Sequence, residues 1–211
     1  MVSMVHVYDV GAQGGPVAMG AWSTPGRLVT AVGWQPGALA VIGDPDPAPG
    51  QPAVPLVTVL DWSRAPVRLG AFGDGWAGVE PDATAAAADG RLFVGYHRGR
   101  EAAGVVAIDA GDPTRPLEVG RWTMPAAAVG VAAAGEALDW RDATGLSRWR
   151  LVPGQPPVAD GALVVGPATV TDVTTATGRW FAAVADSSRP LLSRSGDGPF
   201  APIDGVGPVT D

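Results

Sequence analysis

The sequence predicts an all-β fold, a β-propeller-like array of four-stranded antiparallel blades with about four full blades and a partial one, in an incomplete or open ring. Three observations predict it. First, 30 glycines and 21 prolines in 211 residues place a chain break every few residues, which leaves no room for long helices. Second, one phrase recurs: an apolar run ending in Asp, a polar turn, then a second short apolar run. It is written VHVYDVGAQGGPVAMGAW from Val5, LVTVLDWSRAPVRLGAF from Leu56 and GVVAIDAGDPTRPLEVGRW from Gly104. Third, Gly20, Gly70 and Gly120 mark one place in that phrase at a spacing of 50 residues.

The recurring phrase is a β-hairpin, with Asp, Pro and Gly closing the turn. A second unit alternates with it. LVTAVGWQPGALAVIGD, ATAAAADGRLFVGY, AVGVAAAGEALDW and VTDVTTATGRWFAAVAD each read as strand, glycine turn, strand, around Gly37, Gly90, Gly135 and Gly178. Joined, the two units make a four-strand module, A to D. The chain then parses in order as a partial blade at 5–22 and blades at about 28–72, 82–122, 128–163 and 170–204. A looser copy of the hairpin phrase, PVADGAL from Pro157, falls in the third full module. The segments ATAAAAD and AAAVGVAA carry alanine's helix preference, but a strand A crowded round a narrow axis favours small side chains. Trp22, Phe72 and Trp122 share one repeat position, which points to packing between blades. One blade cannot cover both its faces, so neighbours must stack. A partial blade exposes a strand edge, and edge-strand pairing or a homo-oligomer is the expected consequence.

These residues resemble the LVIVD repeat, a bacterial propeller-forming family. GVVAIDAGDPTRPLEVGRWTMPAAAVGVAAAGEALDW carries its order: a hydrophobic strand ending in Asp, a DP turn, a Pro before the next strand, then a small-residue strand and glycine turn. VHVYDV and VTVLDW match its third strand, and FAAVAD before SSRPL matches the join of second to third. The match departs at Trp149-Arg150 and Leu192-Ser193, which replace the Asp-ending strand. The resemblance implies a propeller scaffold, often on extracellular or cell-surface proteins, and no particular reaction.

Composition excludes several classes. Without cysteine there is no disulfide, thiolate metal site or thiol nucleophile. A net charge of −7, with arginine as the sole strongly basic residue and no arginine run, disfavours nucleic acid. The most apolar window, Met124 to Gly135, is too short to span a bilayer, which takes about 20 residues. MVSMVHVYDV lacks the basic and apolar regions of a secretory leader, so the chain as it stands reads as cytoplasmic, and as secreted or surface-borne if a leader lies upstream.

Candidate functional residues are few. Asp9, Asp61 and Asp109 end strand C, where a carboxylate accepts turn amides, so they read as turn caps. Asp44, Asp139 and Asp186 fall near the end of strand B, with His97 in the corresponding place. Counting back from the glycine turns aligns Ala31, Thr84, Val129 and Asp172 on strand A, of which Asp172 alone is charged; Glu80 and Asp82 enter the neighbouring strand. Glu80, Asp82, His97, Asp139 and Asp172 therefore form the expected ligand-binding set. No catalytic triad, phosphate loop, metal site or cofactor site is expected. The sequence favours a non-catalytic scaffold that binds a protein or glycan partner through loops on one rim. The alternatives are a hydrolase or lyase using rim carboxylates, and a fragment of a larger propeller with no independent activity.

Overall fold

The structure is a computed structural model. It describes residues 2–9, 15–35, 37–45, 49–50, 52–63, 66–73, 76, 78–86, 90–99, 102–134, 137–142, 145–162, 170–176, 179–184, 191–195 and 201–203. Every regular element among them is a strand, and no helix is long and apolar enough to cross a membrane. Alanine's helix preference yields to sheet pairing at both alanine-rich segments: Ala83 to Ala86 and Gly130 to Ala134 lie in strands.

The chain opens with an antiparallel hairpin, β1 (Val2–Asp9) against β2 (Val17–Pro25). Four quartets follow, each a four-stranded antiparallel sheet in which consecutive strands are neighbours. The first holds β3 (Leu28–Gln35), β4 (Ala38–Gly43), β5 (Val57–Asp61) and β6 (Val67–Phe72). The second holds β7 (Glu80–Ala86), β8 (Arg91–Arg98), β9 (Ala102–Asp109) and β10 (Leu117–Met124). The third holds β11 (Gly130–Ala134), β12 (Ala137–Asp142), β13 (Gly145–Arg150) and β14 (Val158–Ala162). The fourth holds β15 (Val170–Ala176), β16 (Arg179–Val184), β17 (Leu191–Ser195) and β18 (Ala201–Pro202). The leading strands β3, β7, β11 and β15 pack against one another in that order, so the quartets stand side by side about an inner row of first strands.

Two hydrophobic seams hold this array together. Strand β8 is buried on both faces, and its period of two divides it between them. Leu92, Val94 and Tyr96, with Val106 and Ile108 of β9, meet Ala40, Ile42, Val57 and Val59 of the first quartet. Phe93, with Val105 and Ala107, meets Val131, Leu138 and Trp140 of the third. Each fully buried large apolar side chain contributes about 1.5–3 kcal/mol relative to exposure. That two-sided burial is why LFVGY is apolar without alternation.

The opening hairpin and the third and fourth strands of the first three quartets share a bulge. The ladder slips between Val7 and Tyr8, Val59 and Leu60, Glu118 and Gly120, and Ser147 and Trp149. Just past it, Gly20, Gly70 and Gly120 pair with Val7, Val59 and Ala107. At Gly70 the reason for glycine is a close approach: a Cβ there would lie 2.5 Å from the Pro113 carbonyl oxygen, in the turn of the next quartet. At the following seam Trp122 Nε1 donates to the Gln155 carbonyl at 3.0 Å, again reaching the next quartet's turn.

The aspartates ending the third strands of the first two quartets cap their turns. Asp61 Oδ1 accepts from the Ser63 amide at 2.8 Å and its hydroxyl at 2.7 Å. Asp109 Oδ1 accepts from the Gly111 amide at 2.8 Å, and Asp112 Oδ1 from the Thr114 amide and hydroxyl at 3.0 and 2.7 Å. The Thr114 hydrogen bonds hold the Asp112 carboxyl below the ordinary aspartate range.

Candidate functional site

The rim where the first strands begin and the second strands end carries the polar side chains that the fold brings together. In the second quartet His97 is the rung partner of Glu80 across β8 and β7. On the next two rungs Pro81 faces Tyr96 and Ala83 faces Gly95, so Asp82 is the extra residue of a bulge. A bulge re-aims its side chain relative to simple alternation. Asp82 turns to His97, with Oδ1 2.6 Å from Nδ1, and Glu80 Oε2 lies 3.6 Å from Nε2 on the other side of the ring. With a proton on Nδ1 the imidazole donates to Asp82, which fixes ring orientation as a carboxylate partner does in acid–base sites.

The Asp82 side chain is only 12% exposed. Burial raises its carboxyl above the ordinary range, the hydrogen bond and charge of His97 bring it part of the way back, and Glu80 pushes it up again. Its second oxygen, Oδ2, is buried without a hydrogen-bond partner. Among the described residues no group of three His, Asp or Glu side chains has the geometry to hold a metal ion.

The corresponding rung of the first quartet carries a different pair. Asp44 N–H donates to the Arg27 carbonyl at 3.0 Å, and the two side chains approach at 3.7 Å with Asp44 buried. In the third quartet the ladder ends on Val129 and Arg141, whose guanidinium donates to the Val129 carbonyl at 3.0 Å. On the other face of β8 from His97, Tyr96 belongs to an aromatic group that sequence reading did not find. Trp76 meets Phe72 and Tyr96 edge-on at 5.3 and 6.1 Å, and the Arg121 guanidinium lies 3.9 Å over its ring. Glu118 holds Arg121 by two hydrogen bonds of 2.7 and 3.2 Å. Nothing local marks this contact, because Trp76 lies in the connection between β6 and β7 whereas Arg121 stands on β10; only the repeat phasing, which puts both near the same end of neighbouring modules, carries a signal.

Of the expected set, Glu80, Asp82 and His97 are brought together. Asp139 is not with them. It lies mid-strand on β12, fully buried, opposite Arg148 of β13. Arg148 Nε donates to Oδ1 at 2.9 Å and Nη2 to Oδ2 at 3.4 Å. Leu138 and Trp140 face the second quartet, so Asp139 between them faces the fourth. By that facing it takes the place of Ala40 and Phe93, both buried and apolar. Burial drives its carboxyl up to about 6, and Arg148 only partly offsets this. Placing Asp139 at a strand end on the rim is therefore corrected: the strand runs on to Asp142.

Asp172 stands on β15 opposite Ala183, with its side chain outside those described. Its register also corrects the glycine-turn alignment. Bulges between Leu28 and Thr30, Pro81 and Ala83, and Val170 and Asp172 place Asp172 level with Thr30 and Ala83, one step from Ala31 and Thr84. Val129 precedes β11 altogether. Asp186 lies outside the described residues.

No family model matches the chain, and no curated protein matches it. Solved structures do. A prolyl endopeptidase, one of two studied for the role of inter-domain dynamics in catalysis and specificity, aligns with a TM-score of 0.55 at 17% identity over 94% of this chain and 30% of its own. A protein of unknown function from Bacteroides thetaiotaomicron VPI-5482 aligns with a TM-score of 0.48 at 12% identity over 96% of this chain and 50% of its own. The chain thus spans half or less of either neighbour. The endopeptidase contains a propeller domain. Together with the stacked quartets, this places the chain in the class of propeller-like all-β repeat proteins, a likeness of fold alone.

Proposed function

We propose that the chain is a non-catalytic propeller scaffold that binds a protein or glycan partner through one rim. The observation that supports this is the change of polar side chains at a constant rung. Arg27 with Asp44 in one quartet becomes Glu80 with His97, backed by Asp82, in the next, and the Arg121–Trp76 pair lies at the seam between these two quartets. A fixed frame with varied groups at equivalent loop ends is how recognition surfaces are built. Mixed carboxylate, imidazole, guanidinium and indole groups suit hydroxyl-rich sugars or polar peptide surfaces. The strand-end aspartates and the DP turn support reading the repeats as LVIVD repeats.

The test is a glycan array and a peptide-display selection run in parallel with the intact chain and with a Glu80→Gln/His97→Ala variant. Ligands captured by the first and lost by the second support rim recognition. Ligands retained by the variant and lost on substitution elsewhere would move the binding surface off this rim.

A second reading, a hydrolase or lyase, is favoured by one observation: two carboxylates flank His97, and one of them, Asp82, is raised by burial. Turnover of a glycoside or ester panel that vanishes in Asp82→Asn would establish it.

A further inference from the structure

We propose that His97 and Glu80 form a seat for a primary ammonium group, the lysine side chain of a protein partner, and that protonation of His97 empties it. The proposal rests on the rim-recognition reading above and names the group that this rim contacts.

The two distances at His97 say where its proton is. A carboxylate oxygen only accepts, so the 2.6 Å contact of Asp82 Oδ1 with Nδ1 takes its proton from Nδ1. A neutral imidazole has one N–H, which leaves Nε2 a bare lone pair. Glu80 Oε2 lies 3.6 Å from Nε2, beyond hydrogen-bond reach, as befits two acceptors with no proton between them. Both side chains reach solvent, His97 being 30% and Glu80 53% exposed. The rung therefore presents two adjacent acceptors at the surface, and among the described residues no donor bridges them.

Charge selects the occupant. Two carboxylates stand at one neutral ring, and Asp82 Oδ2 is buried without a hydrogen-bond partner, so the cluster carries negative charge that the chain leaves unmatched. The guanidinium at the same end of the third quartet, Arg141, donates to the Val129 carbonyl. An acceptor-only seat with excess negative charge fits a donor-only cation. Lysine supplies it, with three N–H donors, no acceptor and one compact charge. The arginine fork matches the two oxygens of a single carboxylate, which stand closer together than Nε2 and Oε2 do here. A sugar hydroxyl can donate to either atom but leaves the charge unanswered. The net charge of −7 also draws a cationic partner toward the chain.

Acid closes the seat. A proton on Nε2 turns that acceptor into a donor aimed at Glu80 and removes one negative charge from the cluster. Imidazole is the side chain whose ordinary titration falls between about pH 5 and 8, so the ammonium and the proton compete in that range. The groups that face His97 among the described residues are few. Strand β7 supplies Glu80 and Asp82, and β9 supplies the uncharged rung partner Ala103. Gly95, two residues back on the same face, meets Ala128 and Trp140, so His97 faces the third quartet, where Arg141 is the charged group at this end. Arg98 follows on the opposite face of β8. Asp82, raised by burial, weakens the seat further on acidification.

The test is NMR of the full chain. The sequence has two histidines, so His97→Ala assigns the ring signals. At about pH 8 the ring nitrogen shifts should show His97 as the Nδ1–H form. The probe is an acetylated Gly-Lys-Gly amide with a free lysine ammonium. It should move the His97 Nε2 signal saturably at about pH 8 and bind about tenfold more weakly at about pH 5.5. The same peptide with its lysine acetylated should leave that signal in place. Glu80→Gln, at an exposed side chain, should weaken binding about tenfold with the tautomer unchanged. An Nε2–H tautomer, equal affinity at both pH values, or an equal response to the acetylated peptide or to methyl glucoside would overturn the proposal. Array ligands that carry no amine, yet are lost in Glu80→Gln/His97→Ala, would leave rim recognition standing and overturn the ammonium seat alone. Arrays that capture nothing through this rim, with a lysine peptide that still moves His97, would overturn rim recognition alone.

Discussion

Gly95 of β8 and Trp140 of β12 meet across the seam between the second and third quartets, so closely that a Cβ on Gly95 would lie 3.2 Å from Cη2 and 3.3 Å from Cζ3 of the indole. The Ala128 Cβ, also at 3.2 Å, closes the remaining side. Trp140 is fully buried, so the large ring occupies the space that the missing side chain leaves. Glycine within a strand ordinarily costs some stability relative to alanine; here the neighbour repays it. We predict that Gly95→Ala destabilises by about 1 kcal/mol and Gly95→Val by about 3 kcal/mol, as overpacking does. Urea unfolding monitored by tryptophan fluorescence reads this directly, and a midpoint raised by Gly95→Ala would show that the seam has slack.

Gly70 tests a different kind of approach, backbone against backbone. Its Cβ would meet the Pro113 oxygen at 2.5 Å and Thr114 main-chain atoms at 2.8 Å, none of which can swing aside as a side-chain tip can. Gly70→Ala should cost more than Gly95→Ala, about 2–3 kcal/mol, and should loosen the 111–116 turn. Amide exchange at Gly111 and Thr114, measured in both variants, distinguishes the two effects.

The buried pair Asp139–Arg148 should behave as a matched set. Removing either charge leaves the other buried and unmatched, so Asp139→Ala or Arg148→Ala alone should cost about 3–5 kcal/mol. The double replacement Asp139→Leu/Arg148→Met should cost far less, because the equivalent places in the first two quartets are held by buried Ala40 with Val59 and Phe93 with Ala107. A double variant as unstable as the sum of the two singles would be evidence against this equivalence.

The same pair gives a pH signature. The folded Asp139 carboxyl sits at about 6, above the ordinary value of 3.8, so the folded state holds this proton more tightly than the unfolded state. Its contribution to stability is therefore fully present below about pH 4 and is lost as pH rises through about 6. The difference of roughly two units corresponds to on the order of 3 kcal/mol. Stability–pH profiles of the parent and the Leu/Met double variant should diverge between pH 4 and 7 in that direction, with the parent gaining on acidification relative to the variant.

Turn capping predicts a split between conservative and truncating changes. Asp61→Asn keeps an oxygen for the Ser63 amide, whereas Asp61→Ala loses both that bond and the one from the hydroxyl. The first should be tolerated, and the second should cost about 1 kcal/mol.

These cases also show what could be read from the chain and what could not. The quartets were legible because their signals are local: glycine turns and strand-end aspartates act within one hairpin, and Gly20, Gly70 and Gly120 mark one rung of it. The pairing of His97 with Asp82 was only half legible. Both residues were singled out, but the bulge that turns Asp82 toward the imidazole depends on how β7 settles against β8. Read by repeat alone, Asp139 falls with Asp44 and Asp186 at the end of strand B, on the rim. A better signal was present: Asp139 and Arg148 are equidistant from the turn between Asp142 and Gly145, so hairpin pairing alone sets them opposite each other. Trp76 over Arg121 needed the stacking of two quartets, which no single repeat encodes.

The last prediction concerns the rim itself. Burial holds the Asp82 carboxyl above the ordinary aspartate range, and His97 opposes that shift both as hydrogen-bond donor and as a nearby charge. Deleting the imidazole removes the opposing influence and leaves the burial and Glu80. Asp82 in His97→Ala should therefore titrate at a higher pH than in the parent, and in Glu80→Gln at a lower one. Carboxyl carbon chemical shifts followed through an acid titration measure both. A fall in the Asp82 midpoint on losing His97 would mean that the ring shields the carboxylate from solvent more than it stabilises it, and that the Asp82–His97 contact is packing rather than a charged partnership.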